Sequence, residues 1–308
     1  MSSVRSGSES VRRTVHVPVL LREVLDWLAL EPNLVVVDGT VGAGGHSQHI
    51  ARTIQSPGRL IGLDRDTSML SRAAQVVTGE QVVLKQASYQ DLDSVLDELG
   101  IGLVDRVVLD LGLSSDQLSD ANRGFGFQTS APLDMRFDTT SGTSVADYIA
   151  STNLAQLTEV LHEYGEDSRA GAVAKEVLRR HELGSMKTAA DLREAVETIH
   201  GARHSGSHPA TRIFQALRIA VNHELEHLEH FLTDVLPRRL KPGGRAVIIT
   251  FHSLEDRLVK NAFREVTLWE NLTRKPVAPS PSEIRINPRS RSAKLRVAAR
   301  QPITPDSA

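Results

Sequence analysis

The first 110 positions carry four apolar runs separated by more polar stretches. Leu34–Asp38 (LVVVD), Arg59–Asp64 (RLIGLD), Gln81–Lys85 (QVVLK) and Val104–Leu109 (VDRVVL) are short, rich in Val, Leu and Ile, and each stops at or beside a polar residue. Residues that are apolar on consecutive rather than alternate positions predict strands buried on both faces of a parallel sheet. Between the runs, 45–54, 67–77 and 91–99 have helical patterning with loop breakers at their ends. Repeated β-α units of this kind predict a doubly wound α/β sheet with right-handed crossovers.

The rhythm breaks near 140. From there to 212 the periodicity is helical: Asn153–His162, Ser168–His181 and Thr188–His200. Asn153 and Thr188 are the expected N-caps, with Asp191 in the first turn after Thr188. Phe214 to Leu240 then reads as one long amphipathic helix, with Leu217, Val221, Leu225, Leu228, Leu232 and Leu236 on its apolar stripe. Lys241-Pro242-Gly243-Gly244 is a stop signal, and Arg245–Phe251 resumes as a strand. Past 270 the chain mixes Pro, Ser and Arg, and Ala293–Val297 alternates like an edge strand. The expected organisation is an α/β domain formed by 16–139 and 213–308, an inserted all-helical domain over 140–212, and a lead-in over 1–15 without the apolar core of a signal peptide.

Between the first strand and the first helix lies Asp38-Gly39-Thr40-Val41-Gly42-Ala43-Gly44-Gly45-His46. Glycines there allow a tight turn and a close approach of backbone to a ligand. A loop at the carboxyl end of strand one is where open α/β sheets bind nucleotides. Asp64, one β-α unit later, is placed to accept hydrogen bonds from both hydroxyls of a ribose. The spacing is not the G-x-G-x-x-G of a dinucleotide fold, in which pyrophosphate sits on the helix N-terminus. An acid immediately before the loop suits the amino group and sulfonium of S-adenosylmethionine better than a pyrophosphate. The loop therefore favours a methyltransferase over a dehydrogenase.

Composition narrows the choice. Of 308 residues, 40% are hydrophobic but only 4% aromatic, and the formal net charge is -2, so any nucleic-acid footprint must be local rather than global. No apolar run approaches the roughly 20 residues that span a bilayer, so no membrane partner is expected and the compartment read from the sequence is the cytoplasm. Local positive charge gathers in the tail, where Arg285, Arg289, Arg291, Lys294, Arg296 and Arg300 face Glu283 alone. Such a cluster reads either as a phosphate-binding strip or as a solvated basic tail. A second patch is Arg203, His204, His208, Arg212 and Arg218. His223-Glu224-Leu225-Glu226-His227 is a literal H-E-x-x-H, which on a continuous helix would suit a zinc peptidase. Glu226 inside the motif and His230 one turn on make a polar helix face the better reading, and no metal site is expected.

The chain resembles the RsmH (MraW) family of bacterial methyltransferases that act on a cytidine N4 of 16S rRNA. The resemblance rests on HVPVLLREVL (16–25), DGTVGAGGHS (38–47), GLDRD (62–66), LDLGLSSDQL (109–118), RGFGF (123–127) and PLDMRFD (132–138). It continues through HPATRIFQALRIAVNHEL (208–225), GGRAVIITFHSLEDRLVK (243–260) and NPRSRSAKLR (287–296). It implies a class I (Rossmann-like) methyltransferase sheet with a helical substrate-recognition domain inserted after the fourth strand. It implies S-adenosylmethionine as cofactor, 16S rRNA in the small ribosomal subunit as partner, and leaves room for a homodimer. Donor-binding positions transfer to Gly44, Gly45, His46, Asp64, Tyr89 (near the adenine), Asp110 and Gln117, beside Asp38 from the loop reading. RNA contacts fall on Arg289, Arg291, Lys294 and Arg296. The sequence departs from the family pattern at Asp116, Gly126 and Ser130-Ala131, which bears on the shape of the 114–131 loop.

Two residues are expected to be catalytic. Asp110 ends the fourth strand, the position from which this fold presents groups to donor and acceptor, although a carboxylate there can also merely cap Gly112 or Ser114. His252, with Ser253, follows the fifth strand and is the second candidate; capping of the next helix is the alternative. The chain has no cysteine. C5 methylation of a pyrimidine usually needs a thiolate, and zinc-dependent deamination needs cysteine ligands. An enzyme of this composition acting on cytosine is therefore directed to N4, where the substrate's own amine is the nucleophile.

Overall fold

The structure is a computed structural model that describes residues 18–201 and 208–302. The expected lead-in, and Arg203 and His204 of the second basic patch, lie outside these residues. Seven strands form one sheet: β1 Val35–Asp38, β2 Arg59–Asp64, β3 Val82–Gln86, β4 Val104–Asp110, β5 Leu240–Thr250, β6 Trp269–Asn271 and β7 Lys294–Arg300. Their order is β3-β2-β1-β4-β5-β7-β6. β1 to β5 run parallel, and β7 is antiparallel to both β5 and β6. The four apolar runs of the amino-terminal half are the first four strands. They read as continuous runs because both faces are covered, with alternate side chains going to different cores.

Val37, Ile61, Leu63, Val107, Leu109 and Ile248 pack on one face with the helices Leu92–Glu98, Glu224–His230 and Ser253–Ala262. Val36, Leu60, Val108, Val247 and Ile249 pack on the other with Leu21–Leu28 and Gly45–Ile54. Each fully buried Val, Leu or Ile contributes about 1.5–3 kcal/mol relative to exposure. A third core, from Phe125 to Val221, belongs to helices: Val145–Ser151, Leu154–Glu163, Ala170–Glu182, Ala189–His200 and Pro209–Asn222. Asn153 and Thr188 cap as expected, each in a reciprocal capping box, with Gln156 and Asp191 returning the hydrogen bond.

Three expectations are corrected. The stretch 214–240 is not one helix. Pro209–Asn222 stops at His223, whose φ of 53° is left-handed, and a new helix begins at Glu224. The Asn222 side chain explains the break: Oδ1 accepts from Phe137 N (2.8 Å) and Nδ2 donates to Met135 O (2.7 Å), tying the helix end to the 132–138 loop. The tail strand is not an edge. β7 lies inside the sheet with Leu295, Val297 and Ala298 wholly buried, and the three-residue β6 forms the edge. Lys241-Pro242-Gly243-Gly244 does not precede β5 but lies within it. A shift in register between Val104↔Leu240 and Arg106↔Arg245 takes up the extra residues.

Candidate active site

A cavity of about 360 Å³ opens at the carboxyl ends of the parallel strands, the place where open α/β sheets bind ligands. The strand order places its walls. The loop after β1, Asp64 at the end of β2 and Tyr89 after β3 form one flank; Phe251 and Glu255, after β5, form the other. Asp110, at the end of β4, stands between them.

Thr40, Val41, Gly42, Ala43, Gly45 and His46 line this cavity, whereas Asp38 and Gly44 do not. Asp38 is buried beneath the loop, where Oδ2 accepts from Ser47 Oγ (2.6 Å) and Oδ1 from Thr40 N (3.1 Å). Burial pushes its carboxyl above the ordinary range against these hydrogen bonds. These contacts brace the loop from below. The glycines are also explained by packing. A Cβ on Gly44, whose φ is +87°, would lie 2.6 Å from Val77 Cγ2, and one on Gly45 would lie 2.6 Å from Pro18 Cγ.

Asp64 faces the cavity with each oxygen held by one backbone amide: Oδ2 accepts from Gly42 N (2.8 Å) and Oδ1 from Asp66 N (2.9 Å). Each oxygen keeps a lone pair for a further donor. Burial, only partly opposed by these amides, pushes the carboxyl up to about 6. Tyr89 begins a short 3-10 turn after β3, and its ring packs edge-on against Phe231 with centroids 5.3 Å apart. Gln117 forms a capping box with Ser114 and donates from Nε2 to Asp66 Oδ2 (3.0 Å), which Arg123 Nη1 also reaches at 3.0 Å. Gln117 therefore fixes the 114–119 wall as well as lining it.

His46 Nε2 lies 3.4 Å from Asp110 Oδ2. Burial opposes a charge on the imidazole, but the Asp110 carboxylate, with Asp38 behind it, outweighs this and raises its pKa. Asp110 N donates to Thr40 Oγ1 at 2.6 Å, fixing the strand end against the loop. Both ring nitrogens of His46, Ser88 Oγ and Asp110 Oδ1 are buried without a hydrogen-bond partner, and all three residues line the cavity. Such atoms call for a polar ligand. Five carboxylates (Asp64, Asp110, Asp116, Glu224, Glu255) line the space against two guanidinium groups, Arg65 and Arg289. That balance disfavours a pyrophosphate and fits S-adenosylmethionine, which is cationic at sulfur and has an ammonium, a carboxylate and ribose hydroxyls.

The second flank holds Glu255, Arg65 and Phe137, which sequence reasoning did not single out, beside Glu224 of the H-E-x-x-H motif. Glu255 is buried, its Oε2 accepting from Phe251 N (2.8 Å) and His252 N (3.3 Å). Glu224 is held by Arg218 through two bonds of 2.7 and 2.9 Å. Arg65 lies over the Phe137 ring, 5.6 Å from its centroid, and donates to Asn222 O. The signal for Glu255 was its position three residues after His252, the spacing of a capping box. His252 itself does not line the cavity. It is the N-cap of Ser253–Ala262, with Nδ1 accepting from Glu255 N at 3.4 Å. Ser253 Oγ donates to Glu166 Oε2 (3.0 Å).

Of the H-E-x-x-H residues, Glu224 and His227 reach the cavity and His223 is the left-handed residue at the helix break. Burial and nearby positive groups lower the His227 pKa to about 4. No cluster of three or more metal-ligating side chains occurs among the described residues. In the tail, Arg289 lines the cavity and Arg291 is exposed. Arg296 is buried and bonds Asp256 Oδ1 at 2.6 Å, and Lys294 reaches Asp256 Oδ2 at 3.2 Å. Both cations pair with Asp256, Arg296 with 7% and Lys294 with 43% of its side chain exposed.

A β3-β2-β1-β4-β5-β7-β6 sheet, with carboxylates at the ends of β2 and β4 facing the cavity, defines a class I S-adenosylmethionine-dependent methyltransferase. The chain belongs to the MraW methylase family, which matches residues 13–301. It is 44% identical over 303 residues to Ribosomal RNA small subunit methyltransferase H of Azoarcus sp. (strain BH72), covering 92% of this chain and 96% of that protein. It is 43% identical over 312 residues to the protein of the same name from Solidesulfovibrio magneticus, covering 94% and 96%. Among solved structures, a putative rRNA methylase from Clostridium thermocellum aligns with a TM-score of 0.44 at 12% identity, over 93% of this chain and 100% of that one.

Proposed function

We propose that the chain methylates the exocyclic N4 of a specific cytidine in the decoding region of 16S rRNA, acting on the small ribosomal subunit in the cytoplasm. The relatives' names support the RNA, and the absence of cysteine supports nitrogen over C5. The observation that carries the reading is the place of Asp110: a carboxylate on the central strand end, between the flank suited to the nucleoside and the flank that holds Phe137, Glu224 and Glu255.

S-adenosylmethionine, when bound, supplies a methyl group made electrophilic by its sulfonium. Asp64 accepts the ribose hydroxyls, Tyr89 flanks the adenine, and the loop through Gly45 and His46 holds the amino-acid end. Asp110 accepts an N–H of the cytosine amine. That hydrogen bond turns the nitrogen lone pair out of conjugation and stabilises the positive charge that develops as the new N–C bond forms. The N4 proton then leaves along the Asp110 hydrogen bond to solvent, giving the neutral product. The protonated amine is acidic enough that no strong base is required, so positioning supplies much of the rate. His252 acts through Glu255 by fixing the helix behind this flank.

Arg289 and Arg291 are the tail residues available to phosphates, and the helical segment 140–212 is the substrate-recognition domain of this reading. The test is transfer of labelled methyl to small subunits from a strain lacking the enzyme, followed by nucleoside analysis. N4-methylcytidine at one site is expected; label in protein, or at C5, overturns the reading.

A further inference from the structure

At the mouth of the cavity the chain makes a short helix, Pro281–Ile286, followed by a 3-10 turn, Pro288–Ser292. Asn287 and Arg289, on either side of their junction, line the cavity. Ile286, the last residue of the helix and the neighbour of Asn287, is 76% exposed, an isoleucine held out in water beside an active site. Arg285, Arg289 and Arg291 around it are exposed and make no ion pair among the described residues.

This projection is braced. Glu283 Oε1 accepts from Leu20 N at 2.7 Å, which fastens the short helix to the start of Leu21–Leu28. Ser290 is wholly buried, and its hydroxyl donates to Asn287 O at 2.8 Å. Ser280 caps the helix by accepting from Glu283 N. Ile286 is therefore presented at a fixed place on the rim.

The inference rests on the cytidine N4 reading given above. In a helix, N4 of cytosine lies on the pairing edge inside the stack, and a base acted on there must leave the stack. Asp110 lines the cavity with 25% of its side chain exposed, so a base whose N4 meets it must enter the cavity. The vacancy left in the stack is apolar on both faces, and proteins that open base steps fill it with an aliphatic or aromatic wedge. We propose that Ile286 is that wedge: it enters the RNA at the place vacated by the target cytidine, while Arg285, Arg289 and Arg291 hold the adjoining phosphates.

The test compares wild type, Ile286→Ala and Ile286→Met. Small subunits reassembled on RNA with pyrrolocytidine at the target position report base extrusion by fluorescence, without donor. Methylation is measured in parallel on natural subunits and on a short single-stranded oligonucleotide containing the target. Ile286→Ala is expected to lose most of the fluorescence rise and at least tenfold in kcat/KM on subunits, and to stay within twofold of wild type on the single strand. Ile286→Met is expected to recover most of both subunit readouts. An Ile286→Ala variant that keeps both subunit readouts within twofold, or that loses equally on the single strand, overturns the wedge. Failure of wild type to make N4-methylcytidine is a separate result, and it overturns the reading on which the wedge rests.

Discussion

His46 Nε2 and Asp110 Oδ2 stand 3.4 Å apart, one in the first turn of the helix after β1 and the other at the end of β4. The pair joins the glycine loop after β1 to the carboxylate at the end of β4, both facing the cavity. The contact is an ion pair without hydrogen-bond geometry, so Asp110 Oδ1 and both imidazole nitrogens are buried without hydrogen bonds. A site that leaves them so can satisfy donor and acceptor together.

Replacing Asp110 with Asn keeps the shape and removes the charge. Turnover on small subunits is expected to fall about 10²-fold or more, the usual size for loss of one group aimed at developing charge. Affinity for S-adenosylhomocysteine should change only a few-fold by calorimetry. The same variant removes the main influence that holds the His46 pKa up, leaving burial, which lowers it, opposed only by the smaller pull of Asp38 and Glu283. A ring titration followed by NMR should therefore move to lower pH. Near-normal turnover, or an unmoved titration, would show that the pair does not act as described.

Asp64 makes donor binding depend on pH. Its carboxyl is raised to about 6, mainly by burial, and only the ionised form can accept from both ribose hydroxyls. Because the folded value lies above the ordinary one, the ionised form is lost as pH falls through 6. Affinity for S-adenosylhomocysteine should be nearly flat above pH 7 and about tenfold weaker at pH 5. Asp64→Asn should bind more weakly at pH 7 and lose most of that slope. A wild-type affinity constant between pH 7 and pH 5 would remove Asp64 from the ribose.

The amino-terminal strands were legible because strands covered on both faces leave uninterrupted apolar runs, as in Leu34–Asp38. The glycine loop and the acid that ends β2 were legible because a tight turn after a buried strand is local in sequence. The helix break was not. His223 in a left-handed turn leaves the apolar periodicity of 217–236 intact, and the cause, Asn222 reaching Met135 and Phe137, is 85–87 residues away. β6 has three residues, too few to show a period. The fate of Arg296 was hidden likewise: a basic residue near the chain's end looks solvated until Asp256, 40 residues earlier, is seen beside it. A packing need for Gly44 was not legible either: the space a Cβ would occupy there is filled by Val76 and Val77, more than 30 residues away.

The packing at Gly44 has a measurable form. Gly44→Ala places a methyl group 2.6 Å from Val77 Cγ2 on a backbone with φ +87°. Backbone strain and overpacking together should cost about 2–4 kcal/mol, seen as a lower urea midpoint. Val77→Ala makes space, so the double variant should be more stable than the sum of the single losses predicts. Additive losses would mean that the methyl does not meet Val77.

The tail cations divide by location, and stability and salt dependence separate them. Arg296 is 7% exposed in its side chain and pairs with Asp256, at 13%. Arg296→Ala leaves that carboxylate to Lys294 alone, so a loss of about 3 kcal/mol is expected. The salt slope of RNA binding should not move. Arg289 and Arg291 are exposed, and changing both to Ala should alter stability by less than about 0.5 kcal/mol. If each neutralises one phosphate, the slope of log K against log salt should shrink by roughly 1.4–1.8. Filter binding from low to moderate salt, with urea unfolding on the same preparations, gives both numbers. An unchanged slope in the double variant would show that Arg289 and Arg291 contact no phosphate, and a reduced slope in a fully stable Arg296→Ala would show that β7, rather than the rim, meets the RNA.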